Sequence, residues 1–256
     1  MKINSYYRQD WAPPGIDPNI FEKTLGEWLE AEAKDSIDRL IEFPANLTDQ
    51  DTATLLIYFE LQRIRVPRQA KAAKKQMREV VLRLAPAEAL EAIQAGEVVL
   101  TIKDSARFDY MRMLTGKLHP WFGKMEWEVF KAEAGASFVT TDSPVSLYNA
   151  VVPPPAEPGL ALAGTMVLFP LSSRHALLMR HSEYRLNEST SPIEVLPEPS
   201  VEDGRISITH GAIWTTDVVN NFNWKMMQLS NQLVVGDSKN VLRACISSHP
   251  DHANAA

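Results

Sequence analysis

The sequence predicts an α+β fold in which a helical N-terminal half packs on a strand-rich C-terminal half with a final helix. Apolar residues recur at helical spacing over 16–95, strand-like segments dominate 96–216, and helical spacing returns over 217–232. Because helices and strands occupy separate parts of the chain, this order favours a segregated α+β arrangement over alternating βαβ units. The 256 residues are enough for a sizeable core, and we expect a single domain over 1–256.

The N-terminal half carries start and stop signals for four helices. Pro44 ends the first, because proline cannot continue a helix. Thr48 and Asp51, three residues apart, form a capping-box pattern that opens the second, and Pro67 suits the first turn of the third. Gly96 closes the fourth. The predicted helices span 16–43, 48–64, 67–84 and 87–94.

The C-terminal half contains short apolar segments that predict strands. Residues 127–131 and 137–141 are joined by a turn at Glu133-Ala134-Gly135, so we expect a hairpin. Eight of the seventeen prolines lie between 150 and 200, which predicts a loop-rich region there. Further strands are predicted at 98–102, 165–169, 175–180, 193–196 and 205–210, and a further helix at 106–116.

Composition excludes several classes of protein. The single cysteine, Cys245, excludes an internal disulfide framework and a multi-cysteine zinc site. No apolar run approaches the roughly 20 residues that span a membrane, and residues 1–7 lack the apolar core of a signal peptide. We therefore expect a cytoplasmic protein without a membrane partner.

The net charge of −6 conceals one basic segment. Residues 63–78 contain seven basic residues and no acid, so removing those seven charges leaves −13 for the rest of the chain. A typical non-specific nucleic-acid binder is instead basic overall or along one face. The segment remains a candidate for local binding of an anionic ligand or a nucleic acid, and a solvated helix face is the alternative.

The end of the second predicted helix carries the first candidate site. Gln62 and Arg65 are three residues apart and share a face, so an amide and a guanidinium could meet one ligand. Arginine supplies a planar fork of donors that suits a carboxylate or a phosphate. The structural alternative is that basic residues favour a helix C-terminus, where the macrodipole is negative.

The second candidate is the stretch 138–145, in which an apolar strand runs into Thr141, Asp142 and a Ser-Pro pair. A carboxylate at a strand end is a common place for a general base or a metal ligand. The alternative is an Asx-turn, in which Asp142 accepts hydrogen bonds from nearby backbone N–H groups.

Several segments occur in a fixed order along the chain. They are Leu29-Glu30 with Ile37 and Leu40, Phe59-x-x-Gln62-x-x-Arg65-x-Pro67-Arg68, Phe138-Val139-Thr140-Thr141-Asp142-Ser143-Pro144-Val145, Phe169-Pro170-Leu171-Ser172, and Asn223. In this order they resemble the bacterial domain of unknown function 4238 over roughly residues 4 to 240. The Gln-x-x-Arg-x-Pro and Phe-hydrophobic-Thr-Ser-Asp-x-Pro elements are its specific parts.

The chain departs from this family pattern in two places. Thr141 stands where the family has serine, which keeps a hydroxyl group. The His-Tyr-Val-Pro-like segment near the start of family members is missing, so we expect a naturally short member or a chain without its N-terminal portion. The family has no assigned activity, and the resemblance implies only that Gln62, Arg65 and Asp142 belong to one site.

The resulting hypothesis is an intracellular bacterial protein with a polar pocket where the two halves meet. We expect a metal-assisted phosphoester hydrolase or a nuclease-like effector in which a divalent metal is a candidate cofactor. The predicted substrate-binding residues are Gln62, Arg65, Thr141 and Asn223, and the predicted acid/base or metal-binding residues are Asp142 and Glu30. The alternative is a non-catalytic binding or scaffold protein, in which the same residues form a buried hydrogen-bond network.

Overall fold

The computed structural model describes residues 9, 12–103, 105–154, 156–184, 190–200 and 206–247. Its helices are α1 Ile20–Thr24, α2 Ala31–Glu42, α3 Asp49–Ile64, α4 Pro67–Leu84, α5 Ala87–Gln94, α6 Ala106–Leu114, α7 His119–Lys124, α8 Thr216–Leu229 and α9 Lys239–Ser247. Its strands are β1 Glu126–Ala132, β2 Thr140–Thr141, β3 Ser146–Tyr148, β4 Met166–Pro170, β5 His175–Arg180, β6 Ile208–Trp214 and β7 Val234–Val235. Among the described elements, α1 to α7 precede the first strand and α8 and α9 follow β6, and this segregation confirms the predicted α+β class.

Local signals place most of the N-terminal helices correctly. The predicted helix 16–43 begins at α1 and ends with α2, and a π-helical segment, Leu25–Glu30, joins the two. Pro67 occupies the first turn of α4, as predicted. Gly96 follows α5 with a φ of 77°, a backbone conformation that glycine adopts without steric cost.

The capping box that opens α3 is present in full. The Thr48 hydroxyl accepts from the Asp51 amide at 3.1 Å, and the Asp51 carboxylate accepts from the Thr48 amide at 3.0 Å. Ser36 and Arg39 of α2 also donate to Asp51, at 2.9 Å from Oγ and 3.0 Å from Nε. The cap therefore also joins α2 to α3. The Arg39 guanidinium, with Thr48 and Ser36, holds the pKa of the Asp51 carboxyl well below its ordinary value.

This depressed pKa predicts a pH dependence of stability. A carboxyl with a lowered folded-state pKa stabilises the fold above its unfolded pKa of about 3.9, and that contribution is lost as the pH falls below this value. We expect the free energy of unfolding in urea to fall more steeply from pH 5 to pH 2.5 in the wild type than in Asp51→Asn. Asp38→Asn, which removes an exposed pair with Lys34, is the control. Parallel curves for the wild type and Asp51→Asn would contradict the expectation.

A mixed sheet in the order β3-β4-β5-β1-β6 forms the centre of the fold. β1 runs parallel to β6, and the other neighbours in this sheet are antiparallel. Successive side chains of a strand point to opposite faces. Along β4, Val167 and Phe169 accordingly join one apolar cluster, and Leu168 joins another.

Helices cover both faces of this sheet. On one face, Leu40 of α2 and Phe59 of α3 pack with strand residues that include Trp127. On the other face, α8 packs through Phe222 and Met226. From the helical half, α2 and α3 therefore lie on one face of the sheet, and the predicted terminal helix, observed as α8, lies on the other. A further helix, α9, follows it. The boundaries of a single domain over 1–256 stay a prediction.

The predicted hairpin of 127–131 with 137–141 is wrong. β1 pairs with β5 and β6, whereas β2 pairs with β7 as a separate two-stranded antiparallel sheet. The turn at Gly135 is present, but Phe138 packs against α8 after it. The hairpin prediction used only local alternation, whereas each of the two strands pairs with a segment more than 40 residues later in the chain.

Other strand predictions fail where a segment has no neighbouring strand. Residues 98–102 form no strand, and Val99 is 83% exposed. Of 193–196, Val195 makes one isolated bridge to Leu162. The predicted strand 205–210 lies further along the chain as β6, and its first residue, 205, lies outside the described residues. Extended segments become strands only where another edge supplies hydrogen bonds.

The apolar side chains of α4 are only partly covered. Ala73 is buried, but Val80, Val81 and Leu84 near the end of the helix are exposed. Among the described helices, none has both the length and the apolar character needed to cross a membrane.

Candidate functional site

A cleft of about 430 Å³ lies between the π-helical segment, the end of α3 and the loop that follows β2. Four of the six predicted site residues line it: Glu30, Gln62, Arg65 and Asp142. The two sequence motifs that indicated polar chemistry, from distant parts of the chain, therefore meet at one open surface.

Arg65 lines this cleft and bonds to two of the other predicted site residues. It is the C-cap residue of α3, and its side chain is 17% exposed. Its Nη2 atom lies 2.7 Å from Oε1 of Glu30, and its Nε atom donates to Oε1 of Gln62 at 3.2 Å. Gln62 and Arg65, which were predicted to meet one ligand, bond directly to each other, and this hydrogen bond holds the guanidinium in a defined orientation.

Glu30 reaches this position from the last residue of the π-helical segment. Leu25 and Leu29 of that segment are buried and anchor it to the core, whereas the side chain of Glu30 is 43% exposed. A π-turn inserts an extra residue into a helix and changes the direction of the following side chains, and such turns are frequent at functional sites. Glu30 is thus the more accessible partner of the ion pair.

Tyr58 was not among the predicted site residues, although it lies one helical turn before Gln62 on α3. Burial raises the pKa of its hydroxyl, and the nearby Glu30 carboxylate adds to this effect, while Arg65 and Gln62 act in the opposite direction. The i, i+4 spacing from Tyr58 to Gln62 is the sequence signal that could have identified it.

A second cleft of about 460 Å³ adjoins the first. Gln62 and Pro144 line both clefts, so they form the shared wall. Tyr58 lines the second cleft, as does the segment Phe169-Pro170-Leu171-Ser172. A ligand held at Arg65 could therefore extend past Gln62 toward the end of β4.

Asp142 lines the cleft, but its carboxylate is already engaged. Oδ1 accepts from the Asn231 amide and Oδ2 from the Gln232 amide, both at 2.9 Å. Its own amide donates to the Leu233 carbonyl at 3.1 Å. This is not the Asx-turn proposed as the alternative, because the bonded groups are about 90 residues away. Asp142 fixes the loop after α8 against the loop after β2.

Thr141 and Asn223 do not line the cleft. The Thr141 hydroxyl accepts from the Ser143 amide at 3.0 Å. Asn223 is fully buried, and it accepts from the Val139 amide at 2.9 Å and donates to the Ser137 carbonyl at 2.8 Å. The geometry indicates a structural role for both side chains, and the substrate-binding role assigned to them stays a prediction.

Much of the basic segment is paired within the protein. At least four of its cations have partners: Arg63 with Glu157, Arg65 with Glu30, Arg68 with Glu157 and Leu229, and Lys71 with Asn231. Lys75 and Arg78 are exposed. Some basic side chains of residues 63–78 are thus paired within the protein, and others are exposed to solvent. Nucleic-acid binding by this segment stays a prediction.

Within the described parts of the chain, no three His, Cys, Asp or Glu side chains come together as a metal site. Glu30 and Asp142 line the same cleft, but one is paired with Arg65 and the other accepts two backbone hydrogen bonds. A divalent metal shared by these two carboxylates stays a prediction.

The sequence matches the model of a family described as protein of unknown function (DUF4238) over residues 2–240. The chain belongs to this family. The resemblance inferred from the ordered motifs is therefore confirmed. No curated protein matches the chain, and no solved structure matches it.

The DUF4238 motifs of this chain occupy distinct places in the fold. Gln62, Arg65 and Asp142 line the candidate cleft, and Phe169–Ser172 lines the adjoining one. Asn223 lies in the core and connects α8 to the segment before β2. The motifs thus include residues that line a surface cleft and one buried residue, Asn223, that binds the backbone of the segment before β2.

Proposed function

We propose that the cleft at Arg65 binds a phosphate ester and that the protein is a phosphoester hydrolase. The observation that carries this proposal is the partly buried Arg65 guanidinium, held by Glu30 and Gln62 in an open cleft. A guanidinium matches the geometry of phosphate oxygens, and charge-assisted hydrogen bonds are stronger than neutral ones. Partial burial strengthens such an interaction further, because the surroundings screen charge less than water does.

The ion pair between Arg65 and Glu30 also supplies a general base for hydrolysis. A phosphate bound at Arg65 competes with Glu30 for the same guanidinium, so binding releases the Glu30 carboxylate into the cleft. Glu30 then accepts a proton from a water molecule as that water attacks phosphorus and the P–O bond to the leaving group breaks. A divalent cation at Glu30 and Asp142 would neutralise charge on the phosphate, and a phosphodiester substrate would make the protein nuclease-like.

Replacing Glu30 tests this function. With p-nitrophenyl phosphate and bis(p-nitrophenyl) phosphate, each with and without Mg²⁺ or Mn²⁺, we expect Glu30→Gln to lower kcat by about 10²- to 10⁴-fold, because the amide cannot accept the proton. Glu27→Gln is the control, since Glu27 is exposed on the same π-helical segment and does not line the cleft. The proposal would be contradicted if the wild type hydrolysed neither ester, or if Glu30→Gln and Glu27→Gln lowered kcat equally.

The second candidate function is a non-catalytic scaffold, and the hydrogen bonds of Asp142 favour it. Both carboxylate oxygens bind backbone amides of the loop after α8, and Lys71 donates to Asn231 of that loop at 3.0 Å. In this alternative, Arg65 and Glu30 form one more link between structural elements and bind no ligand.

The proposal includes a bacterial origin and a cytoplasmic location. The bacterial origin is implied by the resemblance that the ordered motifs carry. The single cysteine, Cys245, is buried as a free thiol, which suits a reducing compartment.

A further inference from the structure

The second cleft, which adjoins the cleft at Arg65, has different chemistry. Arg65 and Glu30 line the first cleft and not the second. Among the described residues that line the second cleft, none is a lysine, an arginine or a histidine, and Asp237 is the one carboxylate. A ligand that extends from Arg65 past Gln62 therefore meets a positive charge in the first cleft and a negative charge in the second.

Three aromatic side chains line the second cleft: Tyr58, Phe138 and Phe169. The rings of Tyr58 and Phe169 are tilted by 54° with their centroids 6.3 Å apart, and Phe138 and Phe169 are buried. Because burial raises the pKa of the Tyr58 hydroxyl, this side chain is uncharged at neutral pH. Aromatic side chains pack favourably against another ring through offset or edge contacts, so this lining suits an aromatic group.

Strand pairing fixes the position of Asp237. β7 pairs with β2, with Val235 opposite Thr140, and both residues line the second cleft. At Gly236 a Cβ atom would lie 3.2 Å from the side chain of Leu242 on α9, so the chain packs closely against that helix. The backbone that carries Asp237 is thus held by β2 and by α9.

The fold does not use the carboxylate of Asp237. An aspartate just before a helix commonly caps it, but here Ser238 does so, because its Oγ atom accepts from the Val241 amide at 3.3 Å. In the described part of the chain, no donor bonds to the Asp237 carboxylate, and no lysine or arginine pairs with it. Asp237 is exposed and lines the cleft, where a cationic group of a ligand can reach it.

We infer that the second cleft binds the alcohol part of the phosphate ester and that this part is an aromatic ring carrying a protonated amine. The inference rests on the phosphate site proposed at Arg65. The ring packs against the three aromatic side chains, and the ammonium group pairs with Asp237. A second anionic group in place of the amine would face the Asp237 carboxylate, so the charges of the cleft select against it.

Hydrolysis of such an ester divides it between the two clefts. The oxygen of water bonds to phosphorus and the P–O bond to the alcohol breaks, while Glu30 accepts the proton of the water and returns it to the oxygen of the leaving alcohol. Inorganic phosphate then remains at Arg65, and the amine-bearing alcohol remains at Asp237.

Calorimetric titration of three benzylphosphonates into the full chain tests the inference. A P–C bond replaces the P–O bond of the ester, so the ligands stay intact, and their para substituents are 2-aminoethyl, propyl and 2-carboxyethyl. We expect the amine to bind at least about threefold more tightly than the propyl compound, and the propyl compound at least about threefold more tightly than the carboxylate. 3-Aminopropylphosphonate, which has the amine but no ring, is expected to bind about tenfold more weakly than the aromatic amine.

Substitutions of Asp237 show whether its carboxylate sets this order of affinities. Asp237→Asn is expected to bring the three affinities within about twofold of one another, and Asp237→Lys is expected to reverse their order. Asp217→Asn removes an exposed carboxylate of α8 that lines neither cleft, so this control is expected to keep the wild-type order. Thermal melts show that each variant is folded.

Hydrolysis of 4-(2-aminoethyl)phenyl phosphate by the wild type separates this inference from the proposed function. Hydrolysis with equal affinities for the three benzylphosphonates, with an unchanged order in Asp237→Asn, or with equal binding of the compound without a ring would overturn the inference and leave the hydrolase in place. The expected order of affinities without hydrolysis would contradict the hydrolase and support binding of the amine at Asp237. Failure of all three benzylphosphonates to bind up to about 10 mM would overturn both.

Discussion

Replacing Asn223 by alanine is expected to lower the free energy of unfolding by about 2–4 kcal/mol, because it leaves two buried backbone groups unpaired. The Asn223 amide accepts from Val139 and donates to Ser137 in the core, where water cannot replace it. The same substitution removes the direct link between α8 and the segment that leads into β2. Urea denaturation followed by circular dichroism measures the effect.

Asn221→Ala is the matched control for this experiment. Asn221 lies two residues earlier on α8 and is exposed, and among the described residues its side chain bonds only to Lys225. Its replacement is expected to change stability by less than about 0.5 kcal/mol. Similar losses in the two variants would show that the buried hydrogen bonds of Asn223 contribute little.

The second large effect is expected at Glu60, on the buried face of α3. Its side chain is 1% exposed, and its two oxygens accept backbone hydrogen bonds from Leu118 at 2.7 Å, Gly116 at 3.0 Å and His119 at 3.3 Å. Glu60 thus holds the chain where it enters α7. Glu60→Ala is expected to cost about 3–5 kcal/mol, because several buried donors lose a charged acceptor at once.

Glu60→Gln gives a more stringent version of the test. The side-chain volume is kept, but an NH₂ group now faces backbone N–H donors, so the variant is also expected to unfold at a clearly lower urea concentration. Glu79→Ala on the exposed face of α4 is the control and is expected to be neutral. If Glu60→Gln unfolds at the same urea concentration as the wild type, the charge of the Glu60 carboxylate is not needed for stability.

The elements that the sequence predicted well are those specified by neighbouring residues. The α3 capping box depends on Thr48 and Asp51, and the start of α4 on Pro67. That Gln62 and Arg65 share one face follows from their spacing on one helix. Such features need no knowledge of the rest of the fold, because the groups that interact lie within one helical turn.

The features that the sequence did not predict depend on residues far apart in the chain. Asn223 bonds to groups 84 and 86 positions away, and Asp142 bonds to a loop about 90 positions away. The pairing of β2 with β7 is of the same kind. Asn223 and Asp142 were identified from the sequence as polar motif residues. Only the packing of α8 on the sheet shows that the side chains of both residues bind backbone groups.

Glu30 combines a feature that the sequence predicted with features that it did not. It was chosen as a site residue because it is acidic and belongs to an ordered motif, and the structure places it 2.7 Å from Arg65, 35 positions away. Neither the π-helical turn that presents it nor its greater exposure relative to Arg65 was predicted. These two properties are what make Glu30 the displaceable partner in the proposed mechanism.

The central claim, that Arg65 forms an anion site, is tested most directly by calorimetric titration of phenyl phosphate into the wild type, Arg65→Gln and Arg78→Gln. Arg78 is an exposed arginine of the same basic segment that does not line the cleft. We predict that the wild type and Arg78→Gln bind phenyl phosphate with equal affinity and that Arg65→Gln weakens binding by about 10- to 100-fold. Unchanged affinity in Arg65→Gln, or an equal loss in Arg78→Gln, would contradict the claim.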